Sequence, residues 1–162
     1  MGARRTMSSS TTRHRKPSAT PLCGTTAAGI SCPLRRVASG LPEPERLVGY
    51  GFRYWMRGRL TGDLRPWEAA WSLYAGMFGT ARAQIAVGAL SDWVIAVARG
   101  AGRAIEIADP NCPEFCQDEC LAISMIAACQ HNTCPAMRAC AFALIEGQQA
   151  ETRRLDAIAA PA

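Results

Sequence analysis

CPEFCQDECLAISMIAACQHNTCPAMRACAFALIE, residues 112–146, holds six of the chain's eight cysteines and one of its two histidines. Asp109-Pro110-Asn111 breaks the chain just before it, and Pro113-Glu114 is a helix-start signal by position and by charge. Apolar residues fill Leu121 to Ala128, and Gln130-His131-Asn132-Thr133 is a polar turn. Thr133 or Cys134 then caps a second helix, which Pro135 opens and Gly147 closes. Two helices joined by so short a loop are antiparallel neighbours, so the stretch predicts an αα-hairpin over residues 112–147.

That hairpin sorts the thiols. Cys112, Cys116 and Cys120 recur every four residues, which puts Cys116 and Cys120 on one helix face, and Cys112 can fold back before Pro113. Cys129 falls nine residues past Cys120, about 13–14 Å along an unbroken helix and on its opposite side. Zinc–sulfur bonds are about 2.3 Å long, so one mononuclear ion cannot collect all six thiols. Pairing across the turn groups Cys112, Cys116, Cys120 and Cys140 as a first set of metal ligands, and Cys129, His131 and Cys134 as a second with one ligand missing. Zinc or an iron–sulfur cluster suits such thiolate sets, copper less so. Neither spacing is that of a standard zinc finger, and no Cys-x2-Cys is present. Two alternatives stay open. Disulfides Cys120–Cys140 and Cys129–Cys134 would staple the hairpin in oxidising surroundings, and free cysteines would simply pack among its alanines.

The Cys-x3-Cys-x3-Cys run resembles a fragment of the cysteine-lined four-helix copper-storage proteins, over nine residues. The helices before it carry no cysteine lining, so no family is assigned on that ground.

Upstream, the chain reads as helical. Strict alternation is absent, and Ala, Arg and Leu dominate. Pro42-Glu43-Pro44-Glu45 starts one helix, on which Leu47, Phe52, Tyr54, Trp55 and Met56 supply apolar surface, and Gly49 and Gly51 mark close packing or a kink. Arg46, Arg53 and Arg57 lie near one face and read as solvated, or as packed on neighbouring aromatics. Thr61–Arg65 is a turn, and Pro66 opens a helix on which Trp67, Trp71, Tyr74 and Phe78 form a single stripe, read as core. Gly79-Thr80 either breaks it, with Thr80 capping the next helix, or is a soft point in one long helix. The apolar run over residues 83–98 is short for a bilayer and contains Asp92, so it reads as a core helix and not as a membrane span.

Composition divides the chain. Residues 1–42 carry seven basic side chains and no acidic one, whereas the remainder carries 11 basic and 13 acidic. The overall +5 therefore belongs to the tail, and the body's balance gives no reason to expect nucleic acid. Residues 1–42 predict a disordered basic tail, 43–150 a helical domain and 151–162 a flexible C-terminus. Cys23, Cys32 and His14 fall in the tail, apart from the cysteine stretch. With no continuous apolar segment after the basic residues, the cytoplasm is the expected compartment, and a single Lys against 17 Arg suggests a bacterial, GC-rich gene.

The body holds no Ser/His/Asp set, no phosphate-binding loop and no G-x-G-x-x-G. Asp118 and Glu119 read as solvated. Cys134, at a helix start with Arg138 one turn on, is the best reactive thiol, with Cys129 as its redox partner. The expectation is an all-α bundle of four to five helices ending in a cysteine-rich hairpin. Its expected role is non-catalytic: binding a metal ion or cluster, with an unknown protein partner, as an accessory or regulatory factor. A thiol-redox protein and a structural interaction module are the alternatives.

Overall fold

The computed structural model describes residues 35–146. Among them are five α-helices: α1 Glu43–Thr61, α2 Arg65–Phe78, α3 Thr80–Gly100, α4 Gln117–Gln130 and α5 Cys134–Glu146. A two-residue strand β1, Arg36–Val37, pairs antiparallel with β2, Glu114–Phe115, bringing Arg36 opposite Phe115. The all-α class holds.

Local signals set most boundaries. Pro42 caps α1, with Pro44 in the first turn and Glu43 and Glu45 at its positive end. Gly62 ends α1 at φ 70, a left-handed conformation open to glycine. Gly79, at φ 76 and ψ 161, separates α2 from α3, so of the two sequence readings the break forms and the single long helix does not, with Gly79 rather than Thr80 at the cap position. Gly49 and Gly51 mark close packing. A Cβ on Gly49 would sit 2.6 Å from the Phe115 ring, and one on Gly51 would sit 2.5 Å from the Tyr74 hydroxyl.

α1 lies centrally, touching α2, α3 and α4, and α5 closes against α4. The main core gathers Leu47, Phe52 and Met56 of α1 with Val87, Leu90, Val94 and Val97 of α3, and reaches Met125 and Leu144 in the hairpin. Trp93 packs on Phe52 with ring centroids 5.4 Å apart. A smaller cluster joins Ala38, Phe115, Cys120 and Ile123.

Three expectations change. Order begins before residue 43, because β1 docks on β2 and the buried Ala38 donates its N–H to the Pro113 carbonyl at 2.8 Å. Residues 1–34 and 147–162, where the rest of the expected tail, the flexible C-terminus, Cys23, Cys32, His14 and Gly147 fall, lie outside the described residues. The helix expected from Pro113 starts four residues later, because Glu114 and Phe115 are held as a strand. The aromatic stripe of α2 is only partly core: Tyr74 is buried, but Trp71 and Phe78 remain 39% and 41% exposed.

Candidate functional site

Residues 101–116 link α3 to α4 with no regular structure except β2. Ile105, Ile107, Ala108, Phe115 and Cys116 are nevertheless buried there. A buried irregular segment strands backbone polar groups away from water, and each must find a partner. Three side chains supply much of what is needed.

Arg53 of α1 is fully buried and uses all five guanidinium N–H groups. Its Nε donates to Glu119 Oε1 at 2.7 Å, and its two terminal nitrogens donate to Glu119 Oε2 and to the carbonyls of Asp109, Cys112 and Glu114. The guanidinium lies 4.9 Å from the Phe115 ring centroid and 5.3 Å from that of Tyr50. Glu119 returns the favour to the same segment, accepting from the Ala108 N–H at 3.1 Å and from the Cys116 N–H at 2.8 Å. The second of these is the backward half of a capping box at the start of α4. Asp118 accepts from the Glu106 N–H and from both terminal nitrogens of Arg103, at 2.6 and 2.7 Å. Burial pulls the Arg53 pKa down, but the hydrogen bond and charge of Glu119 outweigh it and leave the group more basic than usual. The Asp118 hydrogen bond likewise raises that of Arg103. Asp118 and Glu119 are thus buried ion-pair partners, correcting their reading as solvated charges. Arg53 follows the packed-on-aromatics reading and is inaccessible to nucleic acid.

The thiols are dispersed around this network. Cys112 precedes the helix, half-buried, with its carbonyl on Arg53. Cys116 caps α4, and its Sγ donates to the Glu106 carbonyl at 3.3 Å. Cys120 is buried in the smaller cluster beside Phe115, its Sγ 3.7 Å from the Phe115 carbonyl. Cys140 packs against the main core instead, so the first set is divided between two clusters. Cys129, His131 and Cys134 are all exposed around the α4–α5 turn, where Asn132 takes φ 54 and Cys134 is the first residue of α5. No disulfide joins any two of the six described cysteines. Among the described residues, no group of three or more His, Cys, Asp or Glu side chains is placed to hold a metal ion.

The sequence reading misses an apolar surface. Leu64, Trp71 and Phe78 recur every seven residues at and along α2 and are exposed to 63%, 39% and 41%. Met77 is exposed beside them and Ile85 on α3. The signal was present in the spacing, but an aromatic stripe alone does not say which side faces water. α3, at 21 residues, is the one described helix long and apolar enough to cross a membrane, and only 28% of its most apolar window is buried. No protein-family model, curated protein or solved structure matches the chain.

Proposed function

We propose that this protein is a non-catalytic helical interaction module that receives an amphipathic helix of a partner protein along α2. The observation that carries this reading is the uncovered Leu64, Trp71 and Phe78 stripe. Seven-residue spacing matches the seam that one helix offers another, and aromatic residues dominate binding energy at such contacts. The buried carboxylates Asp118 and Glu119 are already engaged, through Arg103 and Arg53, in holding the 101–116 segment. Cys116 and Cys120 are buried, as small side chains that serve packing are. The test compares proteins cross-linked in cells to the unaltered chain and to a Trp71→Glu/Phe78→Glu variant, after thermal melting confirms that the variant folds. A specific partner lost from the variant is expected; identical cross-linked sets would overturn the reading.

A second reading keeps the thiols central and rests on the exposure of Cys129, His131 and Cys134 around one turn. In it, these residues hold zinc after local rearrangement, with a fourth ligand from a partner. Cys116 and Cys120 would have to leave packed positions to take part in the first set with Cys112 and Cys140. Competition with a chromophoric zinc chelator tests this. Uptake should fall in Cys129→Ala/Cys134→Ala and persist in Cys116→Ala/Cys120→Ala. The absence of uptake by anaerobically purified protein would remove the metal reading altogether.

A further inference from the structure

α3 is two-sided. Ala83, Val87, Leu90, Val94 and Val97 face the core. On the outer side Arg82, Ile85, Ala89, Asp92, Ala96 and Arg99 are exposed, alternating steps of three and four residues. Alternating steps of three and four define a straight seam for a second helix. Ile85 is the most exposed of the large apolar residues, at 76%. Asp92 lies within the seam, which disfavours lipid as the occupant, since a carboxylate at mid-bilayer costs about 2.5–3.5 kcal/mol even on the mildest scale. Arg82 and Asp92 make no ion pair or side-chain hydrogen bond among the described residues.

The charges select a partner. Arg82 and Asp92 stand five residues to either side of Val87. A twofold axis at the level of Val87, with a second α3 running antiparallel, therefore sets Arg82 against Asp92 of the other copy twice over, and Ile85 against Ala89 twice over. Both are the layers that an antiparallel seam requires. The competing arrangements are worse. Parallel packing places Arg82 on Arg82 and Asp92 on Asp92. A shift of seven residues one way sets Arg82 against Arg99, and the other way sets it on Ile85 and leaves Asp92 opposite no residue of α3. The two copies then overlap over residues 80–94, with Ala96 and Arg99 beyond the overlap, and Ala89 in the seam with the exposed Gly88 beside it lets the two helix axes approach closely.

We propose that the outer face of α3 is the interface for a second copy of this chain, packed antiparallel about Val87 with reciprocal Arg82–Asp92 ion pairs. The residues named for this contact, Arg82, Ile85 and Asp92, are not those that carry the α2 reading, Leu64, Trp71 and Phe78, so each assignment has its own variants and either can fail without the other. The contact is narrow, and interfaces burying less than about 1,200 Å² in total form weak or transient complexes.

Sedimentation equilibrium of the full chain, at concentrations up to about 200 µM as befits a small interface, reads the association directly. A reversible monomer–dimer equilibrium is expected. Arg82→Asp and Asp92→Arg, each placing two like-charge pairs in the seam, should each weaken it by about tenfold. The Arg82→Asp/Asp92→Arg double variant should return to within about threefold of the original, because the reversed pairs are again complementary. Ile85→Glu should abolish it while leaving the helical circular-dichroism spectrum intact. A chain that stays monomeric throughout overturns the proposal. So does a dimer whose two single variants and double variant weaken additively, or flotation of the chain with neutral phosphatidylcholine vesicles that Ile85→Glu abolishes.

Discussion

Removing the Arg53 guanidinium tests the central structural argument. In Arg53→Met the aliphatic stem survives, but Glu119 keeps its charge with no cation, and the carbonyls of Asp109, Cys112 and Glu114 lose their donors. Breaking one partner out of a buried ion pair typically costs about 3–5 kcal/mol, much of it the penalty of the charge left behind. Against a total stability of about 5–15 kcal/mol for a domain, that is a large fraction. Glu119→Gln should be milder, at about 2–3 kcal/mol, because its amide still presents an acceptor while its NH2 faces donors. The pair should be strongly non-additive. Arg53→Met/Glu119→Leu removes both charges and should be less destabilised than the sum of Arg53→Met and Glu119→Leu by at least about 2 kcal/mol. It should not reach the original stability, since the N–H groups of Ala108 and Cys116 lose their acceptor. Urea denaturation followed by circular dichroism supplies all four free energies. Additivity within about 0.5 kcal/mol, or an Arg53→Met cost under about 1 kcal/mol, would refute the claim that this pair anchors the segment.

Three further outcomes follow from the same structure. Gly49→Ala gains about 1 kcal/mol of helix propensity but drives a methyl into Phe115 and Ile123, so a net loss of about 1–2 kcal/mol is expected from denaturant titration. Burial pushes the Tyr74 phenol up to about 12. An unfolded tyrosine releases its proton near 10, so between those values the folded state holds more protons than the unfolded one, and stability falls as pH rises. Stability measured from pH 9.5 to 11.5 should decline less steeply in Tyr74→Phe than in the unaltered chain. Alkylation mapped by mass spectrometry should label Cys129 and Cys134 first, Cys112 and Cys140 later, and Cys116 and Cys120 only on unfolding; early labelling of Cys120 would contradict its packing beside Phe115.

The limits of α1 were legible because the signals are local, Pro42 and Pro44 at the start and the turn at Gly62 at the end, whereas Gly79 marked the α2–α3 division without deciding between a break and a soft point. The helical hairpin and its tight turn were legible for the same reason. The start of α4 was not. Pro113-Glu114 imitates a helix opening, and what overrides it is a strand partner at Arg36–Val37 together with Arg53, 61 residues from Glu114. Glu119 likewise pairs across 66 residues, so no window of sequence distinguishes it from a solvated acid near a helix N-terminus. Grouping Cys112, Cys116 and Cys120 by their four-residue spacing presumed a helix running from Pro113, and the structure starts that helix at Gln117. Half of the α2 stripe was misplaced because periodicity finds an apolar face without saying whether the chain itself covers it.

The 101–116 segment explains why so few side chains decide this fold. Its β2 pairing with β1 is only two residues long, too short to serve as a ladder for the whole loop. Arg53 answers three of its carbonyls, and Asp118 and Glu119 answer three of its N–H groups, at Glu106, Ala108 and Cys116. Side chains thus do for this loop what a neighbouring strand does in a sheet. Such a network rewards one arrangement only: a shift of the segment would move these carbonyls and N–H groups away from the side chains that satisfy them. A hydrophobic replacement could match the ion pair in free energy, but it could not distinguish the correct register from its neighbours. The position of Cys112 and Cys116 follows from that register, which holds them at the α1–α4 boundary while α2 and α3 keep their outer faces uncovered.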